Sequence, residues 1–177
     1  MPLAAVSPFS TRADLAALAG RSLPLRCQPV SGAEELLIHF QIREAIFVHE
    51  QGLFRVSDRD ARDDASATVH VLGLKGPVAG GTVRLYPLEE RGLWKGDRLA
   101  VLPEFRASGL GAELVRFAVR TAARHGGRTM IAHVQIPNVR FFQLLGWERV
   151  GEPVEYVGRP HQEMAIDLRP RRSRENG

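Results

Sequence analysis

The stretch RLAVLPEFRASGLGA (residues 98–112) places a cation and two glycines where an extended apolar run gives way to a helical pattern. Arg106 leads the turn, and Gly109 and Gly111 follow it at the spacing R-x-x-G-x-G. Anion binding is the chemistry that suits such a junction. A helix start exposes unpaired N–H groups and carries about half a positive charge. Glycine lets an anion approach the backbone and tolerates positive φ, and arginine adds a permanently charged fork matched to phosphate. Two better-known phosphate motifs are absent. No G-x-x-x-x-G-K string followed by Ser or Thr occurs. The third glycine of G-x-G-x-x-G is replaced by Leu114.

A strand must lead into this turn and a helix must leave it. Residues 95–103 read as the strand, stopped by Pro103, and Gly109 to Arg124 as the helix. Leu110, Leu114, Phe117, Ala118 and the methyl of Thr121 form its apolar face, and Gly126-Gly127 ends it. Upstream, 23–30 is a short strand. Ser31 with Glu34 then has the spacing of a capping box for a helix over 33–52, apolar on two faces and therefore wedged between elements. Residues 68–74 and 78–88 read as an antiparallel pair joined at Lys75-Gly76-Pro77. Downstream come a strand over 128–135, a short helix starting at Pro137 and ending at Gly146, and two strands joined at Gly158-Arg159-Pro160. The order β-α-β-β-β-α-β-α-β-β predicts an α+β mixed sheet with helices packed on it.

The R-x-x-G-x-G string resembles motif A of the GNAT superfamily of acetyl-CoA-dependent N-acetyltransferases, usually Gln or Arg, then x-x-G-x and Gly or Ala. LAVLPEFR is similar to that family's fourth strand, and VQIPNVRFFQLLGW to its N…FY…GF helix and following strand. The likeness covers roughly 24–168. It implies six to seven strands, about four helices, and central fourth and fifth strands that splay so that the pantetheine arm of acetyl-CoA fills the gap. It further implies that Leu99, Ala100 and Val101 hold that arm through backbone atoms, with the Val101 N–H as oxyanion donor. Arg106, Ala107, Ser108, Gly109, Leu110 and Gly111 then hold the pyrophosphate, and Asn138 meets the cofactor from the other side. The family's tyrosine is here Phe142, in the pair Phe141-Phe142. The proton for the leaving thiolate then comes from another group, Tyr156 or a water, or coenzyme A leaves as the thiolate.

R-x-x-x-F-x-x-E-Q in the first helix, Gln135 ahead of Phe141, and G-R-P-H-x-x-M resemble one GNAT subgroup. Arg43, Glu50, Gln51, Asp60, His70, Gln135 and His161 are the matched positions. Glu50 is a candidate general base or binder of a cationic acceptor, and His161 has the intrinsic pKa for base work. Arg43, Gln51, His133 and Gln135 complete the acceptor-binding set. His39 and His125 read as solvated. So does the acidic run Asp58 to Asp64, which lacks the alternating spacing of a calcium loop, so no metal is expected. Cys27 reads as a small buried hydrophobe.

The 177 residues suit one domain over 22–168, with an extension over 1–21 and a basic tail over 169–177. The net charge of +4 owes much to Arg169, Arg171, Arg172 and Arg174 of that tail. Without aromatic interleaving or a second basic stripe, nucleic acid is not expected as a partner. No apolar run approaches the roughly 20 residues of a membrane span, and the lone cysteine fits a reducing, cytoplasmic setting. The partner expected is a small-molecule or peptide amine; a homodimer is admitted but not required. Two other readings share the fold: an acyl-homoserine-lactone-synthase-like enzyme using S-adenosylmethionine, and a non-catalytic acyl-CoA-binding module.

Overall fold

The computed structural model describes residues 22–169 together with Asp14, Ala17 and Gly20. The rest of the expected extension, and Arg171, Arg172 and Arg174 of the tail, lie outside the described residues. The elements follow in the expected order: β1 (Leu25–Pro29), α1 (Ala33–Arg43), β2 (Val69–Lys75), β3 (Val78–Pro87), β4 (Leu93–Val101), α2 (Leu110–Arg124), β5 (Thr129–Gln135), α3 (Val139–Leu144), β6 (Glu148–Tyr156) and β7 (Arg159–Asp167). All seven strands join one mixed sheet ordered β1-β2-β3-β4-β5-β7-β6. Only β4 and β5 run parallel. No helix among the described residues is long and apolar enough to cross a membrane.

Both faces of the sheet's centre are covered, whereas the edge strand β6 is exposed along nearly its whole length. β3 is buried from Val78 to Tyr86 without alternation, as a strand under helices on both sides must be. On one face α2 lays down Leu110, Leu114, Ala118 and Ala122, four residues apart and all buried. On the other, Ile38, Ile42 and Ile46 of α1 and its continuation pack with Leu72, Leu74, Ala79 and Ala100. Of the two apolar faces expected of the first helix, the second is only partly covered: Phe47 is buried, Leu36, Phe40 and Val48 are half-buried, and Leu37 stands in solvent. The helix also widens into a π-helical segment at Glu44–Glu50. Its expected cap shifts by one residue: the carboxylate accepting from the Ser31 N–H belongs to Glu35, at 2.8 Å, and Gly32 is the N-cap. Cys27 is half-buried on the α2 side, and burial, then the charge of Glu113, push its thiol up to about 11.

Candidate active site

β4 and β5 pair only at Leu93↔Thr129, Trp94↔Met130 and Lys95↔Ile131. Beyond these, β4 stays with β3 as far as Val101, and β5 stays with β7 as far as Gln135. The strands therefore part, leaving a cleft of about 130 Å³. A bulge in β4 accompanies the parting. The β3–β4 register shifts between Thr82 and Arg84, and Arg98 sits at φ +53°. For a non-glycine residue that conformation costs on the order of 1–3 kcal/mol and persists only where its surroundings enforce it. Here they do. The Thr82 hydroxyl donates to the Arg98 carbonyl at 3.1 Å, and the Arg98 guanidinium reaches the Asp58 carbonyl at 2.9 Å and the Asp60 carboxylate at 3.0 Å.

Those partners belong to the acidic stretch expected to be solvated. Instead Asp58 and Asp63 are buried, and the run is fastened to three arginines. Arg43, itself fully buried, donates to Asp58 at 2.8 Å and to Asp63 at 2.6 and 3.1 Å. Arg84 grips Asp97 through two bonds of 2.7 Å, and Asp60 at 2.6 and 3.0 Å. A buried charge must find its counterion within the protein, and these groups find one another. Burial opposes ionisation of Asp63, but hydrogen bonds from Arg43 hold its carboxyl well below the usual range. The expectations for Arg43 and for the acidic run are thus corrected. Arg43 has no exposed atom with which to meet an acceptor, and the carboxylates are already matched. His39 is corrected too: it lies in the core, its ring 4.9 Å from that of His70, and burial followed by the charge of Arg43 pushes it down to about 3. His125 is exposed, with Nδ1 2.8 Å from the Thr121 carbonyl.

At the mouth, Leu102 donates to the Gly80 carbonyl at 2.9 Å. N–H groups alternate sides along an antiparallel ladder, so that of Val101, next to Leu102 and beyond the bulge, faces the cleft. Leu99 and Asn138 line it, whereas the Ala100 side chain is buried on the α1 side. The turn Pro103–Ser108 is anchored by Phe105, whose ring lies so close to Gly80 that a Cβ there would stand 2.5 Å from it. Gly109 at φ +85° then opens α2; as N-cap it carries no side chain, and the Leu110 N–H donates to the Ser108 hydroxyl at 3.4 Å. Arg106 donates through Nε to the Val101 carbonyl at 3.2 Å and pairs through Nη2 with Glu50. The Ser108 hydroxyl donates to Phe105 O at 2.6 Å, and the Leu110 side chain is in the core, leaving only its backbone for a ligand. Gly111 faces Val101 and Phe141. Phe142 packs edge-on to Trp147 in the cleft wall and has no proton to give.

The side of the cleft formed by β5, β7 and β6 is aromatic and basic. Tyr156 stacks on His133, with centroids 5.7 Å apart, and meets His161 edge-on at 5.3 Å. His161 Nδ1 lies 2.9 Å from the Arg159 carbonyl. A carbonyl only accepts, so in the neutral ring Nδ1 carries the proton and Nε2 the lone pair. Burial, then the charge of Lys95, lowers the pKa of His133, whose Nε2 is 3.5 Å from Glu163. Gln135 donates to the Gln51 side chain at 3.0 Å, and Arg159 to the Gln51 carbonyl at 2.7 Å.

A sequence model of the acetyltransferase (GNAT) family matches residues 35–147, more than half of the chain. The chain belongs to the GNAT family. It is 29% identical over 136 residues to the uncharacterized N-acetyltransferase YjcF of Bacillus subtilis, an alignment covering 76% of this chain and 94% of that one. Escherichia coli ElaA shares the fold with a TM-score of 0.72 at 24% identity, covering 81% of this chain and all of that one. So does BjaI, a coenzyme A-dependent acyl-homoserine lactone synthase solved with S-adenosylmethionine and isopentyl-CoA (TM-score 0.65, 21% identity, 82% and 84% covered). The protein is accordingly an acyltransferase.

Within this GNAT fold, ten of the residues singled out by sequence fall into three groups, while the side chains of Ala100, Val101 and residues 107–111 are not part of the cleft lining. Leu99, His133, Gln135, Asn138, Tyr156 and His161 line the cleft. Glu50, Gln51 and Arg106 stand outside its lining, joined to the turn, to Gln135 and to each other's neighbourhood by hydrogen bonds. Arg43 is withdrawn into the core. Lys95, Asp97, Arg98 and Phe54 also line the cleft and were not singled out. The bulge at Arg98 reverses side-chain parity within β4, and alternation of residue types carries no trace of it.

Proposed function

We propose that this GNAT enzyme transfers an acetyl group from acetyl-CoA to the amine of a small molecule or peptide. The observation that carries the reading is the parting of β4 and β5 beside a helix start whose N-cap, Gly109, carries no side chain. A pantetheine arm is an extended chain of amides, suited to the free edge of β4 at Leu99 and Val101. The diphosphate suits the amides opening α2 and the guanidinium of Arg106. His161 Nε2 takes a proton from the acceptor ammonium, and the freed nitrogen attacks the thioester carbon. The Val101 N–H receives the negative oxygen, the C–S bond breaks, and Tyr156 protonates the thiolate, regaining a proton from the new amide nitrogen. Ammonium and thioester thus become amide, thiol and one released proton. Glu50 suits the base role less well, since its carboxylate faces Arg106 outside the cleft.

Arg106→Ala tests the reading. Losing a charged hydrogen bond to phosphate costs about 1.5–3 kcal/mol, so the acetyl-CoA Kd by calorimetry should rise roughly 10- to 100-fold. The ligand-free Tm should barely move, because the Arg106–Glu50 pair is exposed and worth little. Acetyl-CoA should raise the wild-type Tm and S-adenosylmethionine alone should not. An unchanged Kd in the variant, or a shift with S-adenosylmethionine only, would sink it.

A further inference from the structure

The carboxylates beside the cleft that could pair with a cationic acceptor are already committed. Asp58, Asp60, Asp63 and Asp97 all bind Arg43, Arg84 or Arg98. The charge left facing the cleft is Lys95, at the last β4 position that pairs with β5. Among the described residues, Lys95 forms no ion pair with a carboxylate; its Nζ lies over the Tyr156 ring, 5.7 Å from the centroid. Of the other groups around it, Asp97 is held by Arg84 and Tyr86, Arg98 by Asp58 and Asp60, and Glu163 sits against His133.

We propose that Lys95 receives a carboxylate on the acceptor, so that the amine acetylated belongs to an amino acid or to a peptide with an anionic end. This rests on the acetyl-transfer reading above and extends it to the substrate class. The geometry is consistent in scale. Lys95 and His161 both border the ring of Tyr156, at 5.7 and 5.3 Å from its centroid. One small molecule therefore spans an ammonium at His161 and a carboxylate at Lys95, with its hydrocarbon over Tyr156 and against Phe54. The cleft wall supplies that apolar contact through Phe47, Leu53 and Phe54. A simple diamine would set its second cation against Lys95 and be repelled.

Matched acceptors differing only in the carboxylate give the test: leucine with isoamylamine, phenylalanine with phenethylamine, lysine with cadaverine. The wild-type protein should show kcat/KM about 10-fold or more higher for the amino acid of each pair, the worth of one charge-assisted contact. Lys95→Ala should erase that preference through acceptor KM, Lys95→Arg should keep most of it, and neither should alter the acetyl-CoA Kd. Preference for the decarboxylated amine, or an equal loss on both members of a pair in Lys95→Ala, overturns the proposal. Calorimetry supplies a readout free of turnover: N-acetylleucine should bind wild-type protein about 10-fold more tightly than Lys95→Ala. Equal binding to the two proteins, or no binding to wild type at millimolar concentration, also overturns it. Loss of acetyl-CoA binding alone would instead strike the acetyl-transfer reading.

Discussion

Replacing Arg43 by alanine should destabilise the protein by about 3–5 kcal/mol, the usual consequence of removing one member of a buried ion pair. Arg43 holds Asp58 and Asp63 at once, and all three are buried. Without it, Asp58 keeps Arg98 and Asp63 keeps Arg84, but each loses its shorter partner in a place water does not reach. For a chain of this size each kcal/mol shifts Tm by about 2–4 °C, so a fall of roughly 6–20 °C is expected in a thermal melt. Arg43→Met restores bulk but not charge and should be nearly as harmful, which separates electrostatics from cavity formation. The damage should reach the cleft as well, because Asp58 also holds Arg98 at its left-handed φ. The competing idea, that Arg43 contacts an acceptor, requires the opposite pattern: an unchanged Tm with a raised acceptor KM. Observing that pattern would overturn the assignment of Arg43 to the core.

The second large effect is on acid stability. His39 titrates near its ordinary value of 6.5 when unfolded and at about 3 when folded, because burial, the charge of Arg43 and the neighbouring His70 all disfavour the imidazolium. Between those values the unfolded chain binds a proton that the native protein refuses. Stability is therefore present above pH 6.5 and is lost as the pH falls. One such proton corresponds to about 1.4 kcal/mol per pH unit, or roughly 3 kcal/mol between pH 6.5 and 4.5. His70, also depressed chiefly by burial, adds in the same direction. Asp60 and Asp63, held low by their arginines, lose their contribution only below about pH 4, where unfolded carboxylates protonate. Urea melts at pH 7.5, 6.5, 5.5 and 4.5 measure the slope. His39→Gln should remove about one proton of it. A flat wild-type profile, or the same slope in the variant, contradicts the account.

Element order, the antiparallel β2–β3 pair, the helix opening at Gly109 and the turn with Arg106 were all legible in the chain. Each depends on local chemistry: apolar spacing, proline stops and glycine at positive φ are written within a dozen residues of where they act. The misreadings share one cause. His39, Arg43 and the run from Asp58 to Asp64 look solvated or reactive as isolated residues, because polarity alone says nothing about the partner that neutralises it. The counterions of Arg43 lie 15 and 20 residues away along the chain, and the hydrogen bond from Arg98 to Asp58 spans 40. Ser31 showed the same limit on a smaller scale, its acceptor being Glu35 one residue beyond the expected position.

What the sequence determined by itself was the kind of fold and the strand-turn-helix junction at Arg106 to Gly111, since both follow from periodicity and backbone freedom over short spans. Which charges remain available in the cleft was decided only by the tertiary structure. Burial forces distant acids and arginines to cancel, a bulge turns one strand's side chains over, and Lys95 is left facing the gap that the parted strands create.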